Sequence, residues 1–205
     1  MFKKIKRKIV SNIVFMRLSF LVQRLKRKNQ SEDIYHIDKI EKILAVKKLF
    51  NINILIETGT YLGQTVNYVK NHFSHIFSIE LSELLAEEAK RKFKKHKNVE
   101  IIKGDSGLAL SEILKKVHGK KIFWLDAHYS SGITAVSDNF GNTPILKELE
   151  IIFDNWTNGN IILIDDARLF NGKNDYPTIE FLSDYILKKN LELRFFIDKD
   201  IIHII

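Results

Sequence analysis

Residues 55–65 read LIETGTYLGQT. An apolar run stops at a carboxylate, Glu57, and two glycines follow, Gly59 and Gly63, with Thr60, Tyr61 and Leu62 between them. A short apolar run ending at glycine reads as a buried strand, and the pattern over Leu62–Phe73 reads as a helix. Glycines at such a turn let backbone come close to a ligand, and the acid just before them bears on that ligand's charge.

The same strand-then-helix unit recurs along the chain. NILIE (53–57), HIFSIE (75–80), VEII (99–102), KIFWLD (121–126) and NIILID (160–165) read as strands. Helices are expected at Leu62–Phe73, 82–95, 107–117, 144–156 and 176–189, and an amphipathic stretch precedes them from Ile34 to Phe50. SELLAEEAKRKFKK (82–95) has Ser82 as its cap, acids in its first turns and bases in its last. Five β–α alternations require crossovers, hence a doubly wound, mostly parallel, Rossmann-like α/β sheet with helices on both faces. The end differs: LELRFFI and IIHII flank a short polar turn, DKD, which predicts a C-terminal antiparallel β-hairpin at a sheet edge.

The net charge of +8 is local. Residues 1–30 hold ten Lys/Arg and no acid, leaving 23 basic and 25 acidic side chains in the other 175 residues. We therefore read residues 1–30 as a basic amphipathic helical segment and 31–205 as a single α/β domain. Its longest apolar stretch, Ile13–Val22, is too short and too polar to cross a bilayer. That segment either packs on the domain or on a second copy in a homodimer, or lies on an anionic membrane surface, or contacts nucleic acid. The absence of cysteine excludes disulfides and thiolate metal sites and fits a reducing compartment, hence a cytoplasmic protein, soluble or peripheral to the inner face of the membrane.

Ligands on such a sheet sit beyond the carboxyl ends of the strands. There the sequence places Glu57, Glu80, Asp105, Asp126 and the pair Asp165–Asp166, so every one of the five predicted strands runs out into an acid. A dinucleotide would need the G-x-G-x-x-G spacing, which is absent, and Glu57 would repel a phosphate. A cationic ligand without phosphate suits the site, and S-adenosylmethionine, with its ammonium and sulfonium, is such a ligand. Glu80 is placed to accept hydrogen bonds from two ribose hydroxyls, and Asp105 and Ser106 would stand at an adenine rim. The acids after strands four and five oppose a nucleic-acid backbone.

These motifs carry a resemblance. The chain resembles a class I S-adenosylmethionine-dependent methyltransferase, and within that class the catechol and caffeoyl-CoA type of metal-dependent O-methyltransferase. IETGTYLGQT is similar to that group's first motif, with Tyr61 in place of the middle glycine of the common methyltransferase loop; Glu57, Gly59, Thr60, Tyr61, Gly63 and Thr65 fall within it. IFSIE is similar to the second motif and IIKGDSG to the third. IFWLDAHY and ILIDDAR resemble the segments that supply metal ligands, which implies Mg²⁺ at Asp126, Asp165 and Asp166, although the family usually has Asn at the third. The resemblance spans about residues 53–170, with the hairpin in outline, and leaves out residues 1–50.

The family often has a lysine base three residues after the first metal aspartate; here that residue is Tyr129. The adjacent His128 is the candidate base, histidine being the side chain suited to proton transfer near neutrality, with metal coordination as its alternative role and Asp126 beside it. Three carboxylates converging without a cation repel one another, so either a metal binds or one is protonated. The loop from Ser130 to Asn142 reads either as a lid over the acceptor or as a connector. Arg168 and Lys173 are candidates to hold an anionic acceptor. The function expected is Mg-assisted O-methylation of a small-molecule or saccharide hydroxyl. Rivals are a methyltransferase without metal, including one acting on nucleic acid, and a non-catalytic module that only binds the cofactor.

Overall fold

The computed structural model describes residues 30–127, 143–189 and 192–205. The chain divides into two units, Met1–Glu41 and Lys42–Ile205. The first described helix is α1 (Gln30–Phe50), and the sheet belongs to the second unit. The expected basic segment, residues 1–30, lies almost wholly outside the described residues. Among the described residues no helix is long and apolar enough to cross a membrane.

Seven strands form one sheet: β1 (Ile54–Thr58), β2 (His75–Glu80), β3 (Val99–Lys103), β4 (Ile122–Leu125), β5 (Ile161–Ile164), β6 (Phe195–Asp198) and β7 (Ile201–Ile204). Their order is β3-β2-β1-β4-β5-β7-β6. The first five run parallel, and β7 pairs antiparallel with both β5 and β6. Chain order reverses between β1 and β4, so the crevice for a ligand lies above that pair. β4 and β5 are buried along their whole length, as befits strands covered on both faces.

The helices between strands are α2 (Gln64–Val69), α3 (Glu83–Phe93), α4 (Ser106–Lys116), α5 (Ile145–Asp154) and α6 (Ile179–Lys189). Ile56, Phe123, Leu125, Ile162 and Ile164 on one sheet face pack with Leu110, Leu149, Ile152, Leu182 and Ile186 of α4, α5 and α6. Each such side chain contributes on the order of 1.5–3 kcal/mol by leaving water. Ser82 caps α3, accepting from the Leu85 N–H, and Lys90, Arg91 and Lys92 fill the last turn.

Helix α2 is shorter than the expected Leu62–Phe73. Gly63, in the left-handed region at φ 64°, delays its start. At its other end, the Asn98 side-chain amide donates to the Lys70 and Phe73 carbonyls at 2.7 and 2.9 Å, and the Ser74 N–H donates to Asn53. Residues just before β3 and β1 thus take over the groups that would continue the helix. The hairpin is as expected: Lys199 and Asp200 are both left-handed, at φ 49° and 65°, in a two-residue turn matched to strand twist.

Candidate active site

The loop after β1 is fastened from below. Gly59 and Thr60 donate their N–H groups to the Ile79 carbonyl of β2, at 2.9 and 3.1 Å. Tyr61 takes φ 47°, the left-handed conformation that ordinarily favours glycine. This explains how a tyrosine occupies the middle position of a glycine loop: the turn is kept and the side chain bears the strain. The Lys92 ammonium donates to the Leu62 and Gly63 carbonyls, closing the loop against α3.

Glu80 ends β2 facing this loop. One carboxylate oxygen accepts the Tyr61 N–H at 2.7 Å and the other accepts the Ser82 N–H at 2.8 Å. Burial raises its pKa, and the backbone N–H donors of Ser82, Tyr61 and Leu81 oppose the rise. The carboxylate is therefore fixed in direction, with lone pairs left for further donors.

Glu57 lies deeper, 1% exposed, beneath the loop. It accepts from the Ser78 hydroxyl, and Thr60 Oγ1 stands 2.5 Å from the same Ser78 oxygen. With the Ser78 proton committed to the carboxylate, Thr60 is the donor, and a chain runs from loop to Ser78 to Glu57. Burial pushes the Glu57 carboxyl up to about 7, against the lowering effect of Ser78 and Thr65 hydrogen bonds. Thr65 is buried in α2. Asp105 caps α4 by accepting the Gly107 N–H at 2.9 Å, and Ser106 is buried at the helix start.

Across the switch point stand the other acids. Asp126 follows β4 and donates its N–H to the Thr58 carbonyl, tying the ends of β1 and β4 together. Asp165 and Asp166 follow β5 and are buried. One carboxylate oxygen from each of Asp126, Asp165 and Asp166 lies within 4.8 Å of the others. Three carboxylates gathered in this way could hold a metal ion, and hard oxygen donors suit a divalent cation of the Mg²⁺ or Ca²⁺ type. Asp166 is left-handed at φ 56°, and its N–H donates to the Asp165 carboxylate at 2.8 Å, folding the pair onto itself.

Arg168 lies in the short 3-10 turn Ala167–Leu169. Its guanidinium donates to Asp166, at 2.8 Å, and to Asp200 of the hairpin. Lys173 is exposed. His128, Tyr129 and the loop Ser130–Asn142 lie outside the described residues.

Glu148 was not foreseen. It sits on α5, 1% exposed, in a cleft lined also by Asp126, Asp165, Thr143, Phe170 and Tyr176. Its Oε1 makes no hydrogen bond, and burial pushes its pKa up to about 7 despite hydrogen bonds with the Ser106 and Thr58 side chains. A signal did exist: Ile145, Leu149 and Ile152 form the buried stripe of α5, and Glu148 falls in it at the i+3 step.

No protein-family model matches the sequence, and no curated protein matches it. Solved structures do. A Staphylococcus aureus protein provisionally described as a caffeoyl-CoA O-methyltransferase is 16% identical, with 91% of this chain and 97% of that one covered at a TM-score of 0.56. The Streptomyces achromogenes O-methyltransferase TomG, solved with S-adenosylmethionine, is 13% identical over 82% and 78% of the two chains, TM-score 0.58. An O-methyltransferase from Bacillus cereus, solved with S-adenosylhomocysteine, is 12% identical over 82% and 80%, TM-score 0.58. With its mostly parallel sheet and antiparallel terminal hairpin, the chain has the fold of the class I S-adenosylmethionine-dependent methyltransferases.

Proposed function

We propose that the protein is an S-adenosylmethionine-dependent methyltransferase that methylates a hydroxyl of a small molecule or saccharide with the help of Mg²⁺. The observation that carries this reading is the gathering of Asp126, Asp165 and Asp166 within 4.8 Å, at the ends of the strands next to the Glu80 loop. The methyl donor supplies an already activated carbon, and a divalent cation supplies an acidified, oriented acceptor hydroxyl.

The chain's own residues do the rest. Glu80, held by two backbone N–H groups, accepts the ribose hydroxyls of the donor. The loop from Gly59 to Gly63 would let backbone come close to the donor, and the acids Glu57 and Asp126 would favour its positive charge. Asp105 and Ser106 border the adenine. Asp126, Asp165 and Asp166 would hold the cation, and an imidazole nitrogen of His128 would take the acceptor's proton. Alignment of hydroxyl oxygen, methyl carbon and sulfur lowers the barrier, because displacement at carbon is in line.

A second reading, methyl transfer without metal, is favoured by one observation: Arg168 already places a cation on Asp166. Calorimetric titration of S-adenosylhomocysteine, with and without Mg²⁺, on the wild type and on Asp126→Ala, tests both. Donor-analogue binding that survives the substitution while Mg²⁺ binding is lost supports the proposed division of labour. Failure of the wild type to bind the analogue under any condition sinks the methyltransferase reading.

A further inference from the structure

Asp126, Asp165 and Asp166 bring three carboxylates within 4.8 Å of one another, a concentration of negative charge that calls for compensation. The structure shows where the compensation comes from. Arg168 Nη1 donates to Asp166 Oδ1 at 2.8 Å, and the same nitrogen donates to an Asp200 carboxylate oxygen. Asp200 is itself clamped to this turn: its other carboxylate oxygen accepts the Arg168 N–H at 2.7 Å, and its carbonyl accepts the Ala167 N–H at 2.9 Å. Asp200 lies in the left-handed turn between β6 and β7. The edge hairpin therefore reaches across to set a guanidinium against one corner of the acidic cluster. The cleft beside the cluster holds a buried carboxylate oxygen without a hydrogen bond, Glu148 Oε1, which is a second sign that a ligand with positive or donor character completes the site.

We propose that Arg168 is a built-in counter-ion of the Asp126–Asp165–Asp166 cluster, held by Asp200 of the hairpin turn, and that it competes with a divalent cation for Asp166. This rests on reading the cluster as a metal site. A cation seated among the three carboxylates would stand close to the guanidinium, so the two positive charges oppose each other while drawing on the same acid. A side chain that is 57% exposed can move aside, so the competition weakens metal binding without forbidding it. Its role is positional and electrostatic: it sets how readily the metal binds.

The test is Mn²⁺ titration by calorimetry on the full chain, stripped of metal, for the wild type, Arg168→Gln and Arg168→Lys, with thermal melts of each. Arg168→Gln is expected to bind Mn²⁺ about tenfold tighter than the wild type, and the gap is expected to narrow as salt is raised to about 1 M, where charges are screened within ~3 Å. Arg168→Lys, which keeps the charge, is expected to stay near the wild type. Equal or weaker Mn²⁺ binding by Arg168→Gln overturns the proposal, as does a change of equal size in Arg168→Lys. Absence of Mn²⁺ binding in all three overturns it together with the metal site. S-adenosylhomocysteine titration of the same samples then reads separately whether the methyltransferase reading stands. Should Arg168→Gln melt early, Arg168→Met, which keeps the stem that packs along the turn, gives the same comparison.

Discussion

A Cβ atom placed on Gly59 would stand 2.5 Å from the backbone carbonyl oxygen of Asp126, and Gly59 itself takes φ 85°. The ends of β1 and β4 thus meet backbone to backbone at the switch point, and that contact brings the Thr60–Tyr61 turn and the Asp126 carboxylate onto one rim. A side chain at Gly59 meets both the left-handed strain and the main chain of β4, and neither can yield cheaply. Gly59→Ala is expected to cost about 2 kcal/mol or more in denaturant unfolding and to weaken S-adenosylhomocysteine binding at least tenfold. Affinity within twofold of the wild type would show that this contact does not shape the site.

Glu80 has both carboxylate oxygens engaged by backbone N–H groups of Tyr61 and Ser82. Removing it leaves two donors of a tight loop without their charged acceptor, and each such bond is worth about 1.5–3 kcal/mol. Glu80→Ala is expected to lower the thermal midpoint and reduce S-adenosylhomocysteine affinity at least tenfold, as read by calorimetry. Should the protein be destabilised yet bind as before, the carboxylate would be a loop fastener only.

How far the site could be read before folding depends on how local each signal is. The strand ends Glu57, Glu80, Asp126 and Asp165 were legible because each apolar run stops at its acid, and β2 was legible to the residue, His75–Glu80. The shortening of α2 was not, since Asn98 and Asn53, which take its terminal groups, lie on other elements. Ser78 looks like a lapse in an apolar strand until the register sets it opposite Glu57. The contact of Arg168 with Asp200 was not legible either, since the two are 32 residues apart and meet only when β7 pairs with β5. Glu148 was passed over because a lone acid in an amphipathic helix is ordinarily solvated, although its step with Ile145 and Leu149 put it on the buried face.

Glu148 makes stability depend on pH in a definite direction. Its folded pKa of about 7 lies above the ordinary 4.5, because burial disfavours the ionised form. The folded state therefore holds the proton more tightly than the unfolded chain. That stabilisation is full below about pH 4.5 and is lost as pH rises through 7, in total about 3 kcal/mol. Glu148→Gln, neutral at every pH, is expected to gain in thermal midpoint relative to the wild type on going from pH 5 to pH 8, measured in the presence of a chelator. A difference between the two proteins that is flat across this range would contradict the burial of an ionising carboxyl here.

His203 imposes the opposite slope. It lies buried in β7, stacked on Phe196 at 4.6 Å between ring centroids, and neither ring nitrogen makes a hydrogen bond. Burial lowers its pKa; Asp198 works against this and Lys42 with it, and these two residues are ion-paired to each other across α1 and β6. The unfolded chain thus takes up a proton near the ordinary value of 6.5 that the folded state resists, so stability contributed by the neutral ring falls as pH drops below that value. His203→Phe keeps the stacked ring and removes the titration. It is expected to match the wild type at pH 8 and to melt at a higher temperature than the wild type at pH 5. Parallel losses in both proteins between pH 8 and pH 5 would mean that the acid-side instability arises elsewhere.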